Sequence, residues 1–561
     1  MVDPSLWTVH YQGGVPAEIS LPREPLTALI ETAVKEAPNQ VATDFFGATL
    51  TYRELGEKIS RAAEGLRRVG VRRGDRVALI LPNSPQHIIA FYAILRLGAI
   101  AVEHNPLYTP RELRHMFENH TAVVAICCDA AVEKLRQQPH DIVLENIIAV
   151  NLLDEFPRSK KIALRLPGMR KMRSKLTAKA PHTTSWRKLL ANRGLNRNHR
   201  QPLVGDVAAI QYTSGSTGLP RGAMLTHMNL HANAIQARHW LHGMELGKEV
   251  FFSVLPMFHV FGLSLALTLG VMMQARIVLF PTPDPKMIVS TAKRVSPTVI
   301  GGVPPLFHMI ATVAKRKKVS FPKAHHCVCG AMALPQQTAE DWERLTGVPL
   351  MEGYGLSEAS PVLCGNPGGP TRRQGTVGVP FPSTEVRVVD LNNPTHDVEV
   401  GQRGELLGKG PQVFQGYWEN EEDTATTLLP GGWLRTGDIV EQSADGYITI
   451  VDRVKELIIT GGFNVTPTEV ETIIRSHADI EDVAVVGIPL PMGGERVAAA
   501  VVMHQGCRLD ADKLRDYCRE RLTAYKVPKL IVEVNDLPKS MLGKVLRGQV
   551  RANLIATHPV K

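Results

Sequence analysis

The sequence of 561 residues has no apolar run long enough to cross a bilayer. Its best candidate, Val260 to Ala275, is broken by Ser264, Thr268 and Gln274 and stops at Arg276. That falls short of the about 20 apolar residues a spanning helix needs, so a buried helix is expected there. No basic region leads into an apolar run after Met1-Val2-Asp3-Pro4, and no secretory leader is expected. Cysteine is sparse: seven residues, scattered apart from Cys127-Cys128 and Cys327/Cys329, which stand in apolar, strand-like surroundings. An odd total argues against a disulfide framework, and a CxC pair without a second pair at ligand spacing reads as buried packing rather than zinc. A reducing, cytosolic compartment is the expectation. The GxxxxGK[ST] spacing of a Walker A loop is also missing, as is any internal repeat.

Acid is missing from one stretch. Between Arg158 and Arg200 there are 14 Lys and Arg and no Asp or Glu, so taking these 14 charges from the net +10 of the chain leaves −4. Ile162, Ala163, Leu164, Leu166, Met169, Met172 and Leu176 interleave with Lys160, Lys161, Arg165, Arg170, Lys171, Arg173 and Lys175, a basic amphipathic pattern interrupted at Pro167-Gly168. Segment 158–200 reads either as a surface for anionic membrane, each cation near the lipid contributing about 1 kcal/mol, or as a solvated charged face. No recognition motif accompanies the charge, so nucleic acid is not expected as a partner.

What is present is the composition of a globular protein, 44% hydrophobic and 21% charged, in a chain long enough for at least two domains. The first half alternates apolar runs such as Arg76 to Leu81, Ala122 to Cys127 and Asn146 to Val150 with helical patterns such as His87 to Leu97, which implies parallel sheets flanked by helices. From about Gly375 the runs shorten, as in Glu385 to Val389, Gly404 to Leu407 and Tyr447 to Ile450, suggesting a small β-barrel-like unit. After Asp452 about 105 residues read as a compact α+β segment with strands at Val483 to Gly487 and Ala498 to Val502 and a helix from Asp510 to Arg521. The expected fold is therefore α/β, with domains at 1–452 and 453–561.

Tyr212-Thr213-Ser214-Gly215-Ser216-Thr217-Gly218-Leu219-Pro220-Arg221-Gly222 follows the apolar run Val207 to Ile210. Glycines let backbone N–H groups approach an anion, and the hydroxyls and Arg221 add donors and charge, so a phosphate-holding loop is expected. Further on stand Gly353-Tyr354-Gly355-Leu356-Ser357-Glu358, Trp433 to Asp438, Asp452-Arg453-Val454-Lys455 and Leu542 to Arg547. These five segments, in this order, resemble the adenylate-forming superfamily, and within it the acyl-CoA synthetases, most of all the bacterial long-chain fatty-acid–CoA ligases. The resemblance runs from about Ala17 to Arg547 and includes Asn105 to Leu113 and Met257 to Gly262.

The resemblance implies ATP and CoA as co-substrates, a fatty acid as acyl donor and Mg²⁺ as cofactor. It implies that Thr213, Ser214, Gly215, Ser216, Thr217, Gly218, Arg221 and Gly222 surround the β- and γ-phosphates, with Glu358 and Thr213 at the metal. Tyr354 and Gly355 would lie on one side of the adenine and Gly330 and Ala331 on the other; relatives usually have Ser where Cys329 stands. Asp438 would accept the ribose hydroxyls with Arg453 beside it, His259 would floor the acyl and adenylate pockets, and Lys544 would be the catalytic cation. Lys455 would be the hinge of a mobile C-terminal domain that presents Gly461, Gly462 and Phe463 to the CoA channel, and Ile459 stands where some relatives have a second lysine. The implied reaction joins fatty acid and CoA through an acyl-adenylate, at the cytosolic face of a membrane. A carrier-loading fatty acyl-AMP ligase is the alternative within the fold, although the insertion such enzymes carry is not evident here. A nucleotide switch or a non-catalytic membrane scaffold is the alternative outside it, and a homodimer stays open.

Overall fold

The central strands form where apolar runs are buried on both faces, as parallel sheets require. Ile100–Glu103 is buried throughout, and Arg76–Ile80 and Val124–Cys128 nearly so. The computed structural model of the chain describes residues 5–139, 141–166, 177–214, 220–460, 463–490, 495–540 and 543–558. They gather into two compact units, one of Val2–Val386 with Gly408–Arg435, the other of Arg387–Leu407 with Thr436–Lys561.

The larger unit holds two sheets. A seven-stranded sheet runs Thr184–Ser185, Asn146–Val150, Val124–Cys128, Arg76–Ile80, Ile100–Glu103, Val207–Ser214, Pro220–Thr226, parallel except for the last strand. A nine-stranded sheet runs Val379–Pro380, Val362–Gly365, Leu350–Gly355, His326–Gly330, Val299–Gly302, Val250–Ser253, Arg276–Leu279, Val41–Phe45, Ala48–Thr51. Its inner strands are parallel and its ends antiparallel, so the sheets are mixed rather than wholly parallel as the alternation suggests. At one end the reason is local. Phe45 pairs with Ala48 around Phe46 (φ 57°) and Gly47 (φ 97°), two left-handed residues that make a tight hairpin turn.

The helix Pro85–Arg96 starts on Ser84, whose hydroxyl accepts from His87 N–H, and is buried along almost its whole length. Just before it, Asn83 donates to the carbonyls of Ser253 (3.0 Å) and Leu255 (2.7 Å) and accepts from Met257 N–H (2.8 Å), which fixes the segment leading to His259. The apolar run after His259 is the buried helix its composition suggests, but with a wide π turn at Ser264–Leu269 between the regular turns Val260–Leu263 and Gly270–Met272. Such turns often mark functional positions.

In the smaller unit, Ile480–Pro489, Glu495–Met503 and Leu530–Glu533 form a three-stranded sheet. Helices Pro467–Arg475 and Ala511–Arg519 cover one face through Val470, Ile474, Leu514 and Cys518, and Arg547–Thr557 covers the other through Val550 and Leu554. The short strands expected after Gly375 belong to a five-stranded sheet in which Ile448–Arg453 pairs with Trp433–Gln442.

Among the described residues no helix is long and apolar enough to cross a membrane. The basic segment begins with a six-residue helix, Arg158–Ala163, and its stretch 167–176, with Arg170, Lys171, Arg173 and Lys175, lies outside the described residues. Ile162 and Leu166 are exposed and Leu164 is buried. Lys160 rests 4.9 Å from the Phe46 ring centre and Lys161 donates to the Asp154 carbonyl at 2.7 Å.

Candidate active site

The expected phosphate loop is the end of a β-hairpin. Tyr212, Thr213 and Ser214 pair with Gly222, Arg221 and Pro220; residues 215–219, which hold Gly215, Ser216, Thr217 and Gly218, lie outside the described residues. Gly222 is needed here for packing: a Cβ on it would come within 2.8 Å of the Ile210 side chain and 3.4 Å of the Tyr212 ring. Among the described residues the Thr213 hydroxyl and the Arg221 Nε are buried without a hydrogen-bond partner. A buried polar group without a hydrogen bond costs stability, and an oxygen acceptor could satisfy either donor.

The turn Ser357–Ala359 packs on both hairpin strands and carries Glu358, 6% exposed. Tyr417 holds it: its hydroxyl donates to Glu358 Oε1 at 2.7 Å. Burial and the neighbouring carboxylate push the Tyr417 phenol far above its ordinary range, so it remains a neutral donor. Arg221 lies 4.2 Å over the Tyr417 ring and reaches Asp423 at 3.4 Å. The Gly416–Trp418 segment is docked on the hairpin by Met224 N–H donating to Gly416 O (2.9 Å) and Trp418 N–H donating to Gly222 O (2.8 Å). Sequence reasoning names Arg221 and Glu358 but not Tyr417 or Asp423. The one signal was the aromatic string Gly416-Tyr417-Trp418, which carries no chemistry until its partner 59 residues away is known.

Two strand ends stand side by side at the carboxyl edge of the parallel sheet, where open α/β sheets bind ligands. Gly330 pairs with Gly353, one residue before Tyr354, which is buried. A Cβ on Gly330 would meet Gly353 O at 3.0 Å and the Phe261 ring at 3.3 Å, and one on Gly355 would meet Pro361 O at 1.9 Å. Ala331 adopts φ 69°, turning the chain sharply off the sheet. Cys329 is buried and its thiol is pushed up by burial; opposite it Glu352 is raised by burial to about 7. His259 accepts from Phe261 N–H through Nδ1 at 3.3 Å, and burial lowers it to about 4, so its imidazole is neutral at pH 7.

The smaller unit brings together a second group. Asp438 and Arg453 are directly opposite on adjacent strands, with Nε 2.9 Å from Oδ1. Lys544 follows a turn closed by Ser540 N–H donating to Lys544 O (2.7 Å) and Lys544 N–H donating to the Ser540 hydroxyl (3.2 Å). Its ammonium is pulled down by burial and then by Arg453, against Glu456 and Asp438, so Lys544 lies in the field of both nucleotide candidates of this unit. Arg547, three residues on, donates to Glu471 (2.7 Å), Thr468 (3.2 Å) and Glu456. Lys455 lies in the short turn Val454–Glu456. Gly461 and Gly462 lie outside the described residues, and Phe463 opens the strand Phe463–Val465. Ile459 is 54% exposed.

Comparison with known proteins gives consistent results along the chain. The model of the AMP-binding enzymes matches residues 30–418 and that of the AMP-binding enzyme C-terminal domain residues 469–544. The long-chain-fatty-acid–CoA ligase of Bacillus subtilis (strain 168) is 33% identical over 99% of both chains, and that of Yersinia pestis 36% identical over 97% of both. Among solved structures, ATP-bound MatB from Rhodopseudomonas palustris superposes with a TM-score of 0.78 at 27% identity, over 94% of this chain and 98% of that one.

Proposed function

Because the chain belongs to the AMP-binding enzyme family, an adenylate-forming fold with ATP as a substrate, we propose that it is an AMP-forming long-chain fatty-acid–CoA ligase. ATP and a fatty acid give acyl-AMP and diphosphate, and CoA then displaces AMP. The observation that carries this reading is the likeness to long-chain-fatty-acid–CoA ligases across nearly the full length of both chains.

The division of labour follows from charge. A carboxylate and ATP are both anionic, and AMP formation concentrates charge at the α-phosphate, so preorganised cations and donors are the main requirement. Arg221, the Thr213 hydroxyl and segment 215–219 serve the outer phosphates. Asp438 accepts from the ribose hydroxyls, as an ionised carboxylate can, and Arg453 orients it. Lys544 supplies a point charge to the oxygen joining carboxylate and phosphorus. His259, neutral, contributes shape and a nitrogen lone pair to the pocket floor.

The residues also fit Mg²⁺. Among the described residues no cluster of three His, Cys, Asp or Glu is present, which argues against an all-protein metal cage. A buried carboxylate, Glu358, on a turn that packs on the strand carrying the Thr213 hydroxyl, unpartnered among the described residues, would suit an ion that takes its other oxygens from phosphate and water. Bound there, the ion would neutralise phosphate charge.

Residues 1–452 are proposed as the ATP- and acyl-binding domain and 453–561 as a mobile domain that turns about Lys455 between the half-reactions. Segment 158–200 is proposed as the contact with the inner face of the cell membrane. Diphosphate release on adding ATP and fatty acids of graded length, followed by thioester formation with free CoA, tests the function. Release without thioester would favour the carrier-loading alternative, and no release would overturn the reading.

A further inference from the structure

Asp452 is the last residue but one of the strand Ile448–Arg453, where it stands opposite Ile439, and its neighbour Arg453 stands opposite Asp438. The helix Pro467–Arg475 belongs elsewhere, with Val470 and Ile474 buried in the core of the α+β body beside Val483 and Val485. Lys455 lies on the chain between them.

That helix lacks a cap of its own. Thr466 occupies the capping position in extended backbone, yet its side chain makes no capping bond, and Pro467 has no N–H to offer. The first donor of the helix is Thr468 N–H, and Asp452 Oδ2 accepts it at 3.0 Å. Asp452 Oδ1 accepts Arg453 N–H at 2.8 Å, and the residue is 4% exposed. A carboxylate at a helix N-terminus also favours the positive end of the helix dipole.

We propose that Asp452 is a positioning residue: it caps the helix Pro467–Arg475 from across Lys455 and so latches the arrangement in which Lys544 lies near Asp438 and Arg453. This rests on the reading of Lys455 as the hinge. Rotation there moves Thr468 away from Asp452 and breaks their bond. The bonds of Arg547 to Glu456, Thr468 and Glu471 join groups that all follow Lys455, so they survive the turn. The latch therefore opposes departure from the adenylate-forming arrangement and is released in the thioester-forming one.

The test uses the full-length protein with palmitate as probe. ATP–diphosphate exchange reports the first half-reaction, and thioester formation from preformed palmitoyl-AMP and CoA reports the second. A helix cap is typically worth about a fivefold change in an equilibrium. Asp452→Ala should therefore lower exchange relative to thioester formation by about fivefold, with the ATP KM unchanged. Asp452→Asn, whose amide oxygen can accept from Thr468 N–H, should restore the ratio. An equal fall in both half-reactions, an unchanged ratio, or failure of Asp452→Asn to rescue would overturn the latch. Lys455→Pro separates this from the hinge reading. If it blocks thioester formation alone, an unshifted Asp452→Ala defeats the latch and leaves the hinge standing; if it leaves both half-reactions at wild-type rates, the hinge fails and the latch with it.

Discussion

Tyr417→Phe removes the hydroxyl that donates to Glu358 and that also bonds the Thr427 side chain. The ring stays in place under Arg221, 4.2 Å away, and Glu358 Oε1 loses its donor at 2.7 Å. A hydrogen bond to a charged group is worth about 1.5–3 kcal/mol net, which is roughly 10- to 150-fold in an equilibrium constant. Loss of a partner that orients a metal-binding carboxylate weakens metal binding about 10- to 100-fold in general, so the two routes agree. The Mg²⁺ concentration for half-maximal ATP–diphosphate exchange should rise at least about tenfold in Tyr417→Phe. At saturating Mg²⁺ the rate should return to near wild type, because Thr213, Arg221 and Asp438 are untouched. A Mg²⁺ titration of exchange on the purified variant decides the matter. If its midpoint does not move, the Tyr417–Glu358 pair does not govern a metal. If the rate loss persists at saturating metal, the hydroxyl acts on substrate directly.

Lys544→Ala should slow acyl-AMP formation by about 10²- to 10³-fold, the scale for a lost electrostatic stabiliser. ATP binding and the reaction of preformed acyl-AMP with CoA should be spared, and equal loss of both half-reactions would sink the assignment. Converting Lys160, Lys161, Arg165, Arg170, Lys171, Arg173 and Lys175 to Gln should release the protein from anionic vesicles while sparing activity on detergent-dispersed substrate. Wild-type binding should also weaken with salt, since screening acts over roughly 10 Å at 0.1 M, and co-sedimentation unaffected by either change would make the segment a solvated face. Burial lowers His227 and His326 to about 4 and His104 to about 3. Between about pH 6.5 and those values the unfolded chain binds protons that the folded one does not, so each site should remove about 1.4 kcal/mol of stability per pH unit as pH falls. A thermal midpoint as high at pH 5 as at pH 7 would refute this.

The central strands were legible because burial on both faces leaves an unbroken apolar run, as in Arg76–Ile80 and Asn146–Val150. Strand direction was not, because nothing in Val362–Gly365 or Pro220–Thr226 records which neighbour it will meet. Val260 to Ala275 was readable as a buried helix from composition, but its π turn was not: there the Ser264 hydroxyl donates across the fold to Ser360 O at 2.8 Å, and the Thr268 hydroxyl donates within the helix to Ser264 O at 2.7 Å. In the proposed site, groups marked by type and spacing within one segment, such as Thr213, Arg221 and Glu358, could be put forward from the sequence. Tyr417 and Asp452 could not, since each acquires its partner only through folding.

The pairing of Thr43 with Ile277 in the nine-stranded sheet carries a consequence for biogenesis. Val41–Phe45 and Ala48–Thr51 are among the first strands translated, yet their place is at the edge of a sheet whose other members begin with Val250–Ser253. At roughly 5–20 residues per second, the ribosome needs on the order of 10 to 50 s to go from one partner to the other. Throughout that interval the strands Val41–Phe45 and Ala48–Thr51 lack their sheet neighbour Arg276–Leu279, and Phe45, fully buried in the finished protein, can meet only partners made earlier, such as Phe156, whose ring centre lies 5.2 Å from its own. The seven-stranded sheet, whose last strand ends at Thr226, can close before the first hairpin finds its neighbour, so the order of synthesis and the order of assembly run in opposite directions at the amino-terminal end of this chain.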